Sequence, residues 1–126
     1  MLKEEKRKCH RIKDENISLK VKTDGIDIIT KTLDISASGV YCKVSREIPL
    51  LSRIKILLIL PKPGRISSKD GKSTKIETEG VIVREHPVVI DGRIDHYDVA
   101  IFFNNISLKD KKRLQEYVNS KQTYQK

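Results

Sequence analysis

The sequence predicts a small all-β protein, a six-stranded antiparallel β-barrel with one C-terminal helix, and three observations carry that prediction. Apolar and polar residues alternate with period two along most of the chain, the signature of strands with one buried face. Two Asp-Gly pairs, Asp24-Gly25 and Asp91-Gly92, stand where two-residue hairpin turns belong. The period turns helical only after Ser107. At 126 residues the chain has room for one core, and no β-α-β pattern or internal repeat interrupts the reading.

Taken in order, residues 1–13 read as a flexible basic arm, because almost nothing between Lys3 and Arg11 is apolar enough to offset the entropy of ordering it. Residues 14–120 read as the barrel and its helix, and 121–126 as a tail. Ile17, Leu19 and Val21 alternate with Ser18, Lys20 and Lys22 as a first strand. Asp24-Gly25 turns it, and Ile29, Lys31 and Leu33 lead away as the return strand. Small turn-forming residues at 34–39 then break the pattern, which resumes at Val40, Cys42 and Val44. Ile54, Ile56, Leu58 and Leu60 share one face of the clearest strand, with Leu57 and Ile59 adding apolar character to the other. Residues 61–74, rich in Pro, Gly, Ser and Lys, read as a loop. Residues 75–90 and 93–103 make a long hairpin around Asp91-Gly92, with Tyr97, Val99, Ile101 and Phe103 on its buried face. Ser107 caps the helix, with Asp110 three residues on, and Leu114, Tyr117 and Val118 share its apolar side.

Composition narrows the function classes. Twenty-six Lys and Arg against 17 Asp and Glu give a net charge of +9, which favours anionic partners. The first residues lack the apolar core of a signal peptide, and the longest aliphatic run, 56–60, is too short to cross a bilayer, so a soluble, cytoplasmic protein with no membrane span is expected. Cys9 and Cys42 are then reduced thiols, Cys42 in the core and Cys9 in the arm. Neither they nor His10, His86 and His96 show metal-ligand spacing, and no metal or cofactor is expected. The histidines lack a nucleophile at recognisable spacing and no Gly-rich phosphate loop opens a helix, which speaks against an enzyme. A basic barrel binding single-stranded nucleic acid would need stacking aromatics along its groove; here they are few and scattered, so nucleic acid is the lesser alternative.

Two short constellations carry chemistry. Arg7-Lys8-Cys9-His10-Arg11 is an R-x-x-x-R on the arm, and Asp34-Ile35-Ser36-Ala37-Ser38-Gly39 is a D-x-S-x-x-G at a strand end. Taken singly, each has a plain structural reading, as two solvated arginines or as an Asx turn followed by a glycine. In this order, separated by a hairpin and followed by strands and a helix, they resemble the PilZ domain family. The resemblance runs from Glu5 to Val118 and includes Gly80-Val81-Ile82-Val83-Arg84, the strand at 97–103 and the helical Leu114-Gln115-Glu116-Tyr117-Val118.

That resemblance implies a PilZ-type barrel and a bacterial receptor for the second messenger cyclic dimeric GMP, with Arg7, Arg11, Asp34, Ser36 and Gly39 as ligand contacts. It implies a supporting cation at Lys6, where two stacked ligand copies would concentrate four phosphates. It also implies a downstream protein partner, in motility, adhesion or exopolysaccharide systems. The residues suit the ligand. Arg offers planar donors to phosphate or to guanine O6 and N7, and a face for stacking. Asp34, an acceptor only, matches the guanine N1–H and N2–H edge. Ser36 can donate to phosphate or base, and Gly39 allows positive φ and close approach to the backbone. Arg84 either lines the ligand face or pairs with Glu79 or Glu85. A PilZ-like interaction module without ligand remains the second alternative.

Overall fold

The computed structural model describes residues 11–14, 17–23, 25–61 and 74–124. Among these residues, seven strands and one helix follow in chain order: β1 (Ile12–Lys13), β2 (Ser18–Thr23), β3 (Ile26–Ile35), β4 (Gly39–Val44), β5 (Arg53–Leu60), β6 (Thr74–Ile90), β7 (Arg93–Phe103) and α1 (Leu108–Tyr124). The six longer strands pair antiparallel in the order β3-β2-β5-β6-β7-β4, and pairing of β4 with β3 closes the barrel. Closure leaves no long free edge among these six strands, which suits a chain whose strands alternate cleanly between faces.

Alternation fixes which side is core. Leu19, Val21, Ile54, Ile56, Leu58, Leu60, Val99, Ile101 and Phe103 are all buried, as their phase predicts. Leu57 and Ile59, facing out, are only half-buried. Asp91 and Gly92 both adopt left-handed backbone at the β6–β7 turn, and Gly25 does so between β2 and β3. Ser107 caps α1 through a 3.1 Å bond from the Asp110 amide to its Oγ, and Leu114, Tyr117 and Val118 face the core. Cys42 is a buried free thiol; Cys9 and residues 62–73 of the expected loop lie outside the described residues.

Three details depart from the sequence pattern, the simplest being that α1 runs on to Tyr124, into the expected tail. In β3 the inward residues are Ile28 and Thr32, while Ile29 is 75% exposed, because the turn aligns Val21 with Ile28 and Lys20 with Ile29. A bulge between Thr32 and Asp34 then restores the phase, so that Ile35 is again inside. The expected arm also ends earlier than residue 13. Ile12 and Lys13 pair with Ile35 and Asp34 as β1, on the edge of β3 that β2 occupies further along, and Ile12 is buried. A single isoleucine inserted into the core offsets part of the ordering cost that the arm's composition implied.

Candidate functional site

The β3–β4 connection is held by side chains as much as by backbone. The Ser36 amide donates to the Gly39 carbonyl at 2.9 Å, closing a tight turn. The Ser38 amide donates to Ser36 Oγ at 3.1 Å, a short-range side-chain bond of the kind serine makes in turns. Arg11, entering β1 alongside, then donates from Nε to Asp34 Oδ1 at 2.8 Å and from Nη1 to Ser36 Oγ at 3.1 Å. Three of the predicted residues therefore meet within one hydrogen-bonded cluster. Arg11 keeps 43% of its side chain exposed and Asp34 24%, so a guanidinium face and carboxylate lone pairs remain open to solvent.

Ser36 behaves differently from the role its motif position implies. It is fully buried, and its oxygen accepts from both Arg11 and the Ser38 amide. With both lone pairs filled, its proton goes to Ser38 Oγ, 3.1 Å away, which leaves the half-buried Ser38 hydroxyl to donate outward. Ser38 was not distinguished by sequence, since any residue fits the x positions of the motif. Gly39 is also used otherwise than expected. It has no positive φ, and a Cβ there would lie 2.4 Å from the Ile101 carbonyl oxygen, so its bare Cα is what lets β4 lie against β7.

Cross-strand register extends the cluster into a row on the outer face. Lys13 pairs with Asp34, Asp34 with Tyr41, Tyr41 with Ala100, and Ala100 with Arg84. The adjacent row, Ile12, Ile35, Val40, Ile101 and Ile82, points entirely into the core. Asp34 and Arg84 are thus three strand steps apart, about 14 Å, with the small Ala100 between Tyr41 and Arg84. Among the described residues Arg84 forms no ion pair with Glu79 or Glu85; Glu85 Oε2 instead accepts from the Ile48 amide at 3.0 Å.

Burial raises the Tyr41 phenol above its usual range, the charges of Asp98 and Asp34 add to this, and Arg84 opposes them, which makes the row an electrostatic unit. Beside it Asp98 Oδ1 lies 3.3 Å from His96 Nε2, without hydrogen-bond geometry to any described residue. Among the described residues no three His, Cys, Asp or Glu side chains group to ligate a metal, and no helix is long and apolar enough to cross a membrane. Lys6 and Arg7 lie outside the described residues.

Residues 5–120 match the PilZ domain. The chain belongs to the PilZ domain family. No curated protein matches it in sequence. Solved structures share the PilZ fold at low identity. The Bacillus subtilis inhibitor of motility MotI/DgrA superposes with a TM-score of 0.77 at 18% identity, over 94% of this chain and 52% of that one. The K. pneumonia MrkH–c-di-GMP complex gives 0.68 at 14%, over 95% and 55%. The PilZ domain of Escherichia coli YcgR with c-di-GMP gives 0.59 at 15%, over 90% and 89%. The chain spans about half the length of the first two.

Proposed function

We propose that this PilZ chain is a non-catalytic cytoplasmic receptor for cyclic dimeric GMP, holding the ligand on the outer face between Arg11 and the β3–β4 turn. The observation that carries this reading is the convergence of Arg11, Asp34 and Ser36, far apart in sequence, into one cluster with open donors and acceptors. Two of the similar structures contain that ligand, which supports the same class here.

Arg11 stacks on a guanine and donates to phosphate, Asp34 takes the base N–H edge, Ser38 donates outward, and Arg84 meets the far end of the ligand. Gly39 serves by letting the turn sit flat on β7. Lys6 and Arg7, from the segment before Arg11, add cations where phosphates gather. Ligand draws the N-terminal arm that carries the R-x-x-x-R onto the barrel, which changes the surface a downstream protein reads.

Calorimetric titration tests the reading with cyclic dimeric GMP beside cyclic dimeric AMP, GTP and a short RNA. Tight binding of the first alone is expected. Equal affinity for the three nucleotides removes the base-reading role of Asp34, and preference for RNA with a steep salt dependence replaces the proposal by nucleic-acid binding.

A further inference from the structure

Asp14 stands out on the side of the site away from the turn. It follows β1 directly, carries a carboxyl group, and is only 7% exposed. Its amide donates to the Leu33 carbonyl at 3.2 Å, its carbonyl accepts from Thr32 Oγ1 at 2.5 Å, and its Oδ2 accepts from Tyr117 Oη at 2.5 Å. One residue is thereby fixed to β3 through its main chain and to α1 through its side chain, 103 positions away.

We infer that Asp14 and Tyr117 are positioning residues for the Arg11 clamp, so that the seating of the C-terminal helix and the ligand affinity of the site are coupled. The coupling follows from how little holds β1. A two-residue ladder has negligible stability of its own, so beyond the bonds of its guanidinium to Asp34 and Ser36 the placement of Arg11 depends on burial of Ile12, on the Lys13–Asp34 pairing and on Asp14. Only Ile12 and Lys13 separate Arg11 from Asp14, and both are paired into the sheet, which leaves no slack to absorb a shift. At the other end Tyr117 sits in the buried stripe of α1 with Leu114 and Val118, and Lys121 Nζ lies 5.6 Å from its ring centroid. Burial first, then the hydrogen bond and charge of Asp14, raise the Tyr117 phenol well above its usual range, so it stays a donor at neutral pH. A buried tyrosine hydroxyl needs such a partner. Displacing α1 therefore releases Asp14 and loosens Arg11, and by reciprocity a ligand that tightens Arg11 tightens α1.

The ligand half of this inference rests on the cyclic dimeric GMP reading. Tyr117→Phe keeps the ring and removes only the hydroxyl. In the ligand-free protein, amide exchange at Ile12, Lys13 and Ile35 is expected to speed up about tenfold while β5 stays unchanged. Asp14→Asn in the otherwise unchanged chain, which keeps an acceptor for the Tyr117 hydroxyl, should lose less of this protection than Asp14→Ala. Cyclic dimeric GMP should bind Tyr117→Phe about five- to tenfold more weakly, and should slow exchange at Leu114 and Val118 in the parent protein but not in the variant. Unchanged exchange at β1, or faster exchange spread equally over β5, overturns the inference. If the parent protein does not bind the nucleotide, the functional reading falls, and exchange at β1 without ligand still decides this one.

Discussion

The β3–β4 and β6–β7 connections both join neighbouring strands of one barrel, yet they are built by different means. At the β6–β7 tip, Asp91 and Gly92 take left-handed backbone, and a Cβ on Gly92 would meet nothing within 4 Å. The β3–β4 turn uses no left-handed residue. It is assembled from hydroxyls, a carboxylate and an arginine, with Ser36, Ala37 and Gly39 buried. A turn held by backbone conformation only has to reverse the chain, whereas one held by side chains also presents donors and acceptors in fixed positions.

High pH should separate the two regions most strongly. Cys42, on β4 just past the side-chain-built turn, has its thiol pushed up to about 12 by burial and then by the charge of Asp98. Its neutral form is favoured by folding, so this stabilisation is complete below about pH 9 and is lost as pH rises toward 12, amounting to about 4 kcal/mol at most. Urea midpoints measured from pH 8 to 11 should fall, and Cys42→Ala should flatten the fall. A midpoint insensitive to pH in the parent protein would show that β4 is not sealed.

The next contrast is between glycines. Gly39→Ala forces a Cβ onto the Ile101 carbonyl and should cost about 3 kcal/mol. Gly92→Ala strains only its own backbone, at about 1 kcal/mol. Equal losses in denaturant unfolding would erase the distinction between the turns.

Arg11→Ala removes charge-assisted bonds at the β3–β4 turn. Affinity for cyclic dimeric GMP should drop about ten- to hundredfold by calorimetry with little loss of fold stability. Arg93→Ala at the other hairpin should leave affinity untouched. The smallest effect expected is for Ser38→Ala, about 1 kcal/mol in binding if its hydroxyl points outward; a neutral result would return the ligand-facing role to Ser36.

The residues that were legible in sequence are those whose roles depend on period or on motif. Ile54 through Leu60, Val99 through Phe103, and Leu114, Tyr117 and Val118 declared their faces by spacing alone. Arg11, Asp34 and Ser36 were found as a pattern, but the pattern did not say that Ser36 faces inward, because the direction of a hydroxyl depends on which amides the turn brings to it. Ile12 escaped notice because two residues show no periodicity. Thr32, buried against Asp14, breaks the rule that polar residues face outward, while its neighbour Leu33 is only half-buried. Asp14 shows no pattern of its own at the start of the barrel segment, and only the return of α1 to that spot reveals it as a buried partner.

The bond between Asp14 and Tyr117 also bears on the order in which the barrel is completed during synthesis. The β2–β3 and β3–β4 hairpins are local and can pair soon after they leave the ribosome, on microsecond scales. Gly39 finds its seat only when the strand bearing Ile101 arrives, and Asp14 must wait for nearly the whole chain, since loop closure over so many residues is slow and entropically disfavoured. A nascent chain therefore carries the complete D-x-S-x-x-G segment long before it has the floor and the latch that align it with Arg11. On the proposed reading, competence to bind the messenger is acquired in one late step, and fragments released early present the motif without the assembled site.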